Sequence, residues 1–363
     1  MKFKFAALLF TSLLAIALYS PVNAQTLPAV EIPGTQALTL TSSVVAGQEY
    51  QLYINLPRNY ARDTAKTYPV LFLLDGQFDF PVFTGIYGSQ YYDGFLPGIV
   101  TVAITWGGKN PDAGVLRGRD FTPTKIAGMQ SGNAPKFLEF IKTELIPFIQ
   151  SKYRVNDDRT LTGSSYGGLF TLYALFNEPS LFHRYILTSP AIGWDNAVLR
   201  TWETKYEATG SNAPTRLFMG RGELEGNDPA FLQLADRLKK VKNLEVRTLV
   251  MEHTGHSGTK PEGYSKGLQW VFEPQPLQLS PAVLDKYAGA YVLGKDTAHL
   301  AAKNGRLIIL PESNNLELLP ASDKDFYRSG SYLKIHFKMD ANGAVTGCQV
   351  EQYDGEMFYK KVK

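Results

Sequence analysis

The sequence predicts an α/β domain on a mostly parallel central sheet, followed by a small all-β domain that is antiparallel and barrel-like. Three observations carry this. Val70–Leu74 and Ile99–Ile104 are continuous apolar, β-rich runs, which suit strands buried on both faces of a parallel sheet. Strand-like and helix-like segments alternate from there to residue 273. After Glu273-Pro-Gln-Pro276 the pattern changes to short strands separated by turn dipeptides.

The first residues stand outside both domains. Lys2 and Lys4 precede an apolar run, Phe5–Leu18, and Val22-Asn23-Ala24 closes it with small residues. This is the pattern of a secretory signal peptide over residues 1–24, cut after Ala24. The run is short for a membrane span of ~20 residues. No cysteine lies at the cut, which argues against a lipoprotein. The expected mature chain is periplasmic or secreted and has no integral membrane segment.

Residues 38–56 alternate as strands, with Tyr50, Leu52, Ile54 and Leu56 on one face. The two buried runs follow. Residues 134–152 then place Phe137, Phe140, Ile141, Leu145, Phe148 and Ile149 on one helical face, with a kink expected at Pro147. Thr160–Gly163 is a short strand, and Gly168–Phe176 is helical. Tyr185–Ser189, Arg216–Gly220 and Leu244–Val250 read as further strands. Between the last two, Asp228-Pro229 opens a helix as N-cap and first residue. The expected division is an α/β domain over 25–273, a linker over 274–278 and a β domain over 279–363. In the β domain, strands are expected at Gly289–Leu293, Arg306–Leu310, Leu333–Phe337, Val345–Gln352 and Met357–Val362. Asn304-Gly305 and Asn342-Gly343 are its turns.

The 363 residues are 44% hydrophobic, 12% aromatic and 20% charged, an ordinary globular composition. The formal charge of +3 comes from 37 basic and 34 acidic residues, too balanced to point to nucleic acid. Cys348 is the single cysteine, so an internal disulfide or a cysteine-rich metal site is excluded; it reads as a small buried hydrophobe.

One motif carries chemistry. Gly163-Ser164-Ser165-Tyr166-Gly167 is a G-x-S-x-G pattern between a strand and a helix. In that context the glycines permit a sharp turn that lifts Ser165 above the sheet edge and brings backbone N–H groups near it. Ser164 holds the wrong place in the motif. A nucleophilic serine needs a base, and the chain order for this turn is serine, acid, histidine. Of five histidines, His299 and His336 lie in the β domain and His183 follows the turn too closely. His253 and His256 remain, on the loop after Val250. His256 is preferred because Gly255 and Gly258 flank it; His253 is closer to the strand end. The acid should follow the strand that ends near Arg221. Glu225 is preferred there and Glu223 is the alternative, because Asp228 already has a role as helix cap. The backbone amides of Tyr166 and Gln77 are the expected oxyanion donors. Trp194 and Phe78 are candidates for the substrate pocket. Arg117 and Arg119 read as salt-bridge partners of Asp120 or another acid. His253-x-x-His256 offers no third metal ligand nearby, so neither metal nor cofactor is expected.

At these residues the chain resembles the putative-esterase branch of the α/β-hydrolases. The matching segments are Tyr68–Gly76, Arg119–Pro123, Glu144–Phe148, the serine turn, Ser189-Pro190, Gly222–Glu225 and Gly255-His256, across roughly 40–273. That branch includes siderophore, feruloyl and acetyl-xylan esterases, S-formylglutathione hydrolases and mycolyltransferases. Arg119–Pro123 and Gly222–Glu225 look most similar to the siderophore-esterase subgroup. The resemblance implies an α/β-hydrolase fold and hydrolysis of carboxylic esters, small or polysaccharide-linked, by a serine hydrolase. In mycolyltransferases the residue at the place of Gln77 supplies an oxyanion amide. Many relatives have aspartate as the acid, and some siderophore esterases work with a Ser–His pair, which leaves the role of Glu225 the most open. Residues 279–363 resemble the small β domain found after some serine β-lactamase-like proteins. Two other activities fit the same residues: acyl transfer to an alcohol, and ligand binding by an inactive hydrolase domain.

Overall fold

The structure is a computed structural model that describes residues 31–226, 229–311, 316–328, 333–352 and 355–362. The signal segment 1–24 and the Asp228 cap lie outside the described residues. An eight-stranded sheet runs in the order β1-β2-β4-β3-β5-β6-β7-β8. Its strands are β1 (Thr35–Thr41), β2 (Glu49–Asn55), β3 (Tyr68–Leu73), β4 (Val100–Trp106), β5 (Val155–Ser164), β6 (Arg184–Thr188), β7 (Thr215–Gly222) and β8 (Leu244–Met251). The β1–β2 and β2–β4 pairs are antiparallel; all later neighbours are parallel. The apolar run in β4 explains its place: every one of its residues is buried.

The helices include α1 (Gly76–Tyr92), α2 (Ala113–Phe121), α3 (Ala134–Phe140), α4 (Ile146–Lys152), α5 (Tyr166–Asn177), α6 (Leu199–Thr209), α7 (Pro229–Leu238), α8 (Thr259–Val271) and α9 (Pro281–Asp285). The helix expected over 134–152 is present but interrupted. Ile141–Leu145 forms one π-helical turn between α3 and α4, just ahead of Pro147. Proline cannot donate to the preceding turn, and the wider turn absorbs the mismatch. On the buried face Phe137 meets Phe121, Phe140, Phe170 and Tyr50 at ring distances of 5.0–5.9 Å. Burying each such ring contributes about 1.5–3 kcal/mol.

After α9 comes a closed barrel of eight antiparallel strands, each paired with its sequence neighbours: β9 (Gly289–Leu293), β10 (Asp296–Lys303), β11 (Arg306–Leu310), β12 (Leu316–Pro320), β13 (Asp325–Arg328), β14 (Lys334–Met339), β15 (Val345–Gln352) and β16 (Gly355–Val362). Strand β16 closes on β9. The expected turns are in place: Asn304 and Gly305 both have positive φ between β10 and β11, and Gly343 does so between β14 and β15. Tyr287, Tyr291, Leu307, Phe326 and Phe337 fill the interior. Cys348 is buried among them, and burial pushes its thiol up to about 12.

Candidate active site

Four loops at the carboxyl ends of β3, β5, β7 and β8 bring the candidate residues to one edge of the sheet. Ser165 sits between β5 and α5 with φ 59° and ψ −116°. A non-glycine residue in that region costs on the order of 1–3 kcal/mol, so the surroundings must hold it. They do: Ser165 N–H donates to Thr188 O at 3.0 Å, and Ser165 O accepts from Leu169 and Ala191 at 2.9 and 3.1 Å. The glycines leave the space required. A Cβ on Gly163 would stand 2.7 Å from the Gly167 backbone, and one on Gly168 would stand 3.0 Å from Pro190.

Asp75 precedes α1 in a left-handed conformation, φ 55°, and is buried. Its carboxylate accepts two bonds of 2.9 Å from Arg117, which also reaches Ser164 O at 3.4 Å. One guanidinium thus ties the turn before α1 to the turn before α5. Gln77 and Tyr166 each lie in the first turn of their helix, where backbone N–H groups have no intrahelical acceptor. Arg119 pairs with Asp120, so both arginines are salt-bridged as expected.

His256 opens a 3₁₀ turn after β8, and Glu225 ends another after β7. Glu225 Oε2 lies 2.6 Å from His256 Nδ1. Glu225 Oε1 accepts from the Gly222 amide and from the Ser189 hydroxyl, each at 2.7 Å. Burial pushes the Glu225 carboxyl up, but these three donors outweigh it and hold the group below the ordinary glutamate value. The alternative acid faces elsewhere: Glu223 Oε2 accepts from His253 N at 2.9 Å, and the His253 ring is 91% exposed. The structure therefore joins His256 to Glu225 and leaves Glu223 and His253 as a separate pair. It does not join all three residues of the expected set. Among the described residues no hydrogen bond links Ser165 Oγ to His256, whose side chain is half exposed.

Trp194 is buried, donates to Thr124 Oγ1 at 3.0 Å and stands edge-on to Tyr166 at 5.4 Å. It packs against the residue that follows Ser165. Phe78 is 59% exposed beside Gln77, whereas Phe80, Phe83 and Tyr87 of the same helix are buried. Ser189 is not among the residues that the sequence assigns a role; its bond to Glu225 gives it a place in the site. Its one sequence signal is position, directly at the end of a parallel strand where such sheets place ligands.

A parallel sheet carrying a serine at a strand-to-helix turn, with a His–Glu pair on the following loops, defines an enzyme of the α/β-hydrolase class. The model of the family described as "Putative esterase" matches residues 43–268. The ferri-bacillibactin esterase BesA of Bacillus subtilis is 29% identical over 283 residues, 71% of this chain and 96% of that protein. A siderophore triacetylfusarinine C esterase of Aspergillus fumigatus is 32% identical over 175 residues, 46% of this chain and 59% of that protein. The solved structure of the BES protein from Bacillus cereus is 27% identical, covers 68% of this chain and 97% of its own, and superposes with a TM-score of 0.61. The chain belongs to the putative-esterase family and is a carboxylic ester hydrolase.

Proposed function

We propose that this protein is an exported serine esterase that cleaves siderophore esters through a Ser165–His256–Glu225 triad. The observation that carries the triad is the 2.6 Å contact between Glu225 and His256 Nδ1. With Nδ1 committed to the carboxylate, Nε2 is the nitrogen left for the serine. His256 stands on a glycine-flanked turn, and its bond to Ser165 forms as substrate closes the site.

In this reading Ser165 Oγ gives its proton to His256 Nε2 and bonds to the acyl carbon. The carbonyl oxygen becomes an oxyanion held by the Gln77 and Tyr166 amides. His256 then protonates the leaving alcohol oxygen as the ester C–O bond breaks, leaving an acyl-enzyme. Water gives a proton to His256 and attacks the same carbon, and Ser165 leaves with that proton. Acid and alcohol are released.

The substrate class is supported by the names of the relatives, which are siderophore esterases. Export is supported by the pattern of residues 1–24. The test compares kcat/KM for a ferric siderophore ester with that for a feruloyl sugar ester. Preference for the siderophore supports the reading, and preference for the sugar ester overturns it. Edman sequencing of exported protein is expected to begin at Gln25.

A further inference from the structure

We propose that Ser189 is a positioning residue for this reaction: its hydroxyl holds the Glu225 carboxylate in the orientation that aims His256 at Ser165. This rests on the Ser165–His256–Glu225 reading above.

Ser189 follows β6 directly, is 4% exposed and has φ 45°. Its N–H donates to Gly220 O at 2.7 Å, which locks it to β7. Its Oγ lies near three oxygens: Glu225 Oε1 at 2.7 Å, Thr259 Oγ1 at 2.9 Å and His256 O at 3.5 Å. A hydroxyl has one proton to give. The carboxylate is the strongest acceptor and the nearest, so the proton goes to Glu225. Thr259, fully buried, also has one proton, and its nearest acceptor is His256 O at 2.7 Å, so it donates there. Ser189 thus holds the carboxylate that meets the His256 ring, and Thr259 beside it holds the His256 backbone.

The terminal torsion of a glutamate is broad, so one donor leaves the carboxylate plane free to turn. Gly222, the last residue of β7, ties the carboxylate to its own strand. Ser189, at the end of the neighbouring strand β6, adds a second and independent tie. The backbone at Ser189 is one that glycine adopts more cheaply. Glycine has no hydroxyl to offer the carboxylate. Among the described residues, the groups that bond the carboxylate are Ser189, the Gly222 amide and His256. The neighbouring Arg221 turns its guanidinium to Gly226 O and over the Phe231 ring.

The test measures kcat and KM on a p-nitrophenyl ester, across pH, for Ser189→Ala, Ser189→Gly, Glu225→Ala and the double variant Ser189→Ala/Glu225→Ala. Ser189→Ala is expected to lower kcat about ten-fold, the loss of one hydrogen bond to a charged group, with KM little changed. The acidic limb of the profile moves to higher pH, because the carboxylate has lost a donor to its charged form. Ser189→Gly does the same although it relieves the backbone. Adding Ser189→Ala to Glu225→Ala costs nothing further. Ser189→Gly suits the positive φ at this position and keeps the test open if Ser189→Ala folds poorly. If Glu225→Ala is damaging while Ser189→Ala is silent, additive or confined to KM, the role of Ser189 is overturned and the triad stands. If Glu225→Ala leaves kcat intact, the triad acid and the role of Ser189 fall together.

Discussion

Glu225 and Glu223 stand two residues apart on one turn, and the structure separates their roles by partner. Glu225→Gln is expected to lower kcat by at least about 10²-fold, because an acid that orients the base is worth that much or more. Glu223→Gln, whose carboxylate meets an exposed loop, is expected to leave kcat unchanged; comparing the two variants on one ester substrate checks both. Glu225 also links stability to pH. Its carboxyl is held below the ordinary value, so its charged form stabilises the fold above about pH 4.3, and that contribution is lost as pH falls through the lower folded value. Acid unfolding followed by circular dichroism should therefore be shallower for Glu225→Gln than for the unaltered protein. At this scale the candidates Ser165 and His256 were legible from the motif, the chain order and the scarcity of histidines. The glutamate that meets His256 was legible only to within two residues, because the rotation of a short turn decides which carboxylate reaches the imidazole.

Strands β3, β4 and β6 were readable as elements because burial on both faces makes them almost continuously apolar. Several helices were not. Helix α8 carries Gly263 and Gly267, which read as loop residues in a sequence. In the structure they let the helix lie close on the sheet: a Cβ on Gly263 would come within 2.3 Å of Thr188 Cγ2, and one on Gly267 within 2.6 Å of Ile186 Cγ2. This decides the sign of a prediction. Gly263→Ala gains about 1 kcal/mol of helix propensity, but overpacking a buried contact costs about 1–3 kcal/mol. The contact is severe and backed by β6, so the variant should melt at a lower temperature, as scanning calorimetry would read directly. Helix α1 hid for another reason. Its aromatic residues surround it, with Phe80, Phe83 and Tyr87 buried and Phe78 and Tyr92 exposed, so no single apolar face marks its period.

The two folded parts meet at the end of the sheet opposite Ser165. Lys66, which precedes β3, contacts Glu351 of β15 at 2.6 Å. Pro274 O accepts from Tyr327 at 2.9 Å, and Leu277 N–H donates to Pro320 O at 2.8 Å. A cavity of about 600 Å³ between them is lined by Tyr68, Asn156 and Asp158 near the amino ends of β3 and β5, and by Lys334 of the barrel. The candidate residues all follow the carboxyl ends of their strands, so the barrel contacts the hydrolase fold away from them. Tyr327→Phe and Lys66→Ala are accordingly expected to leave the rate of Ser165 acylation unchanged, measured by stopped-flow with an activated ester. No described helix is long and apolar enough to cross a membrane. The change of architecture after residue 273 was visible in the shift from alternating elements to short strands. So was the antiparallel, barrel-like character of the β domain. Strands β10, β12 and β13 were not, because they are mixed in polarity, and the pairing of β16 with β9 that closes the barrel is a long-range choice that local sequence does not encode.

The most direct measurement of the central claim is intact-mass analysis after fluorophosphonate treatment of the folded protein and of Ser165→Ala. The account predicts one adduct on the unaltered protein, none on Ser165→Ala and much slower labelling of His256→Ala. An adduct that persists on Ser165→Ala, or no adduct on the folded, unaltered protein, would contradict it.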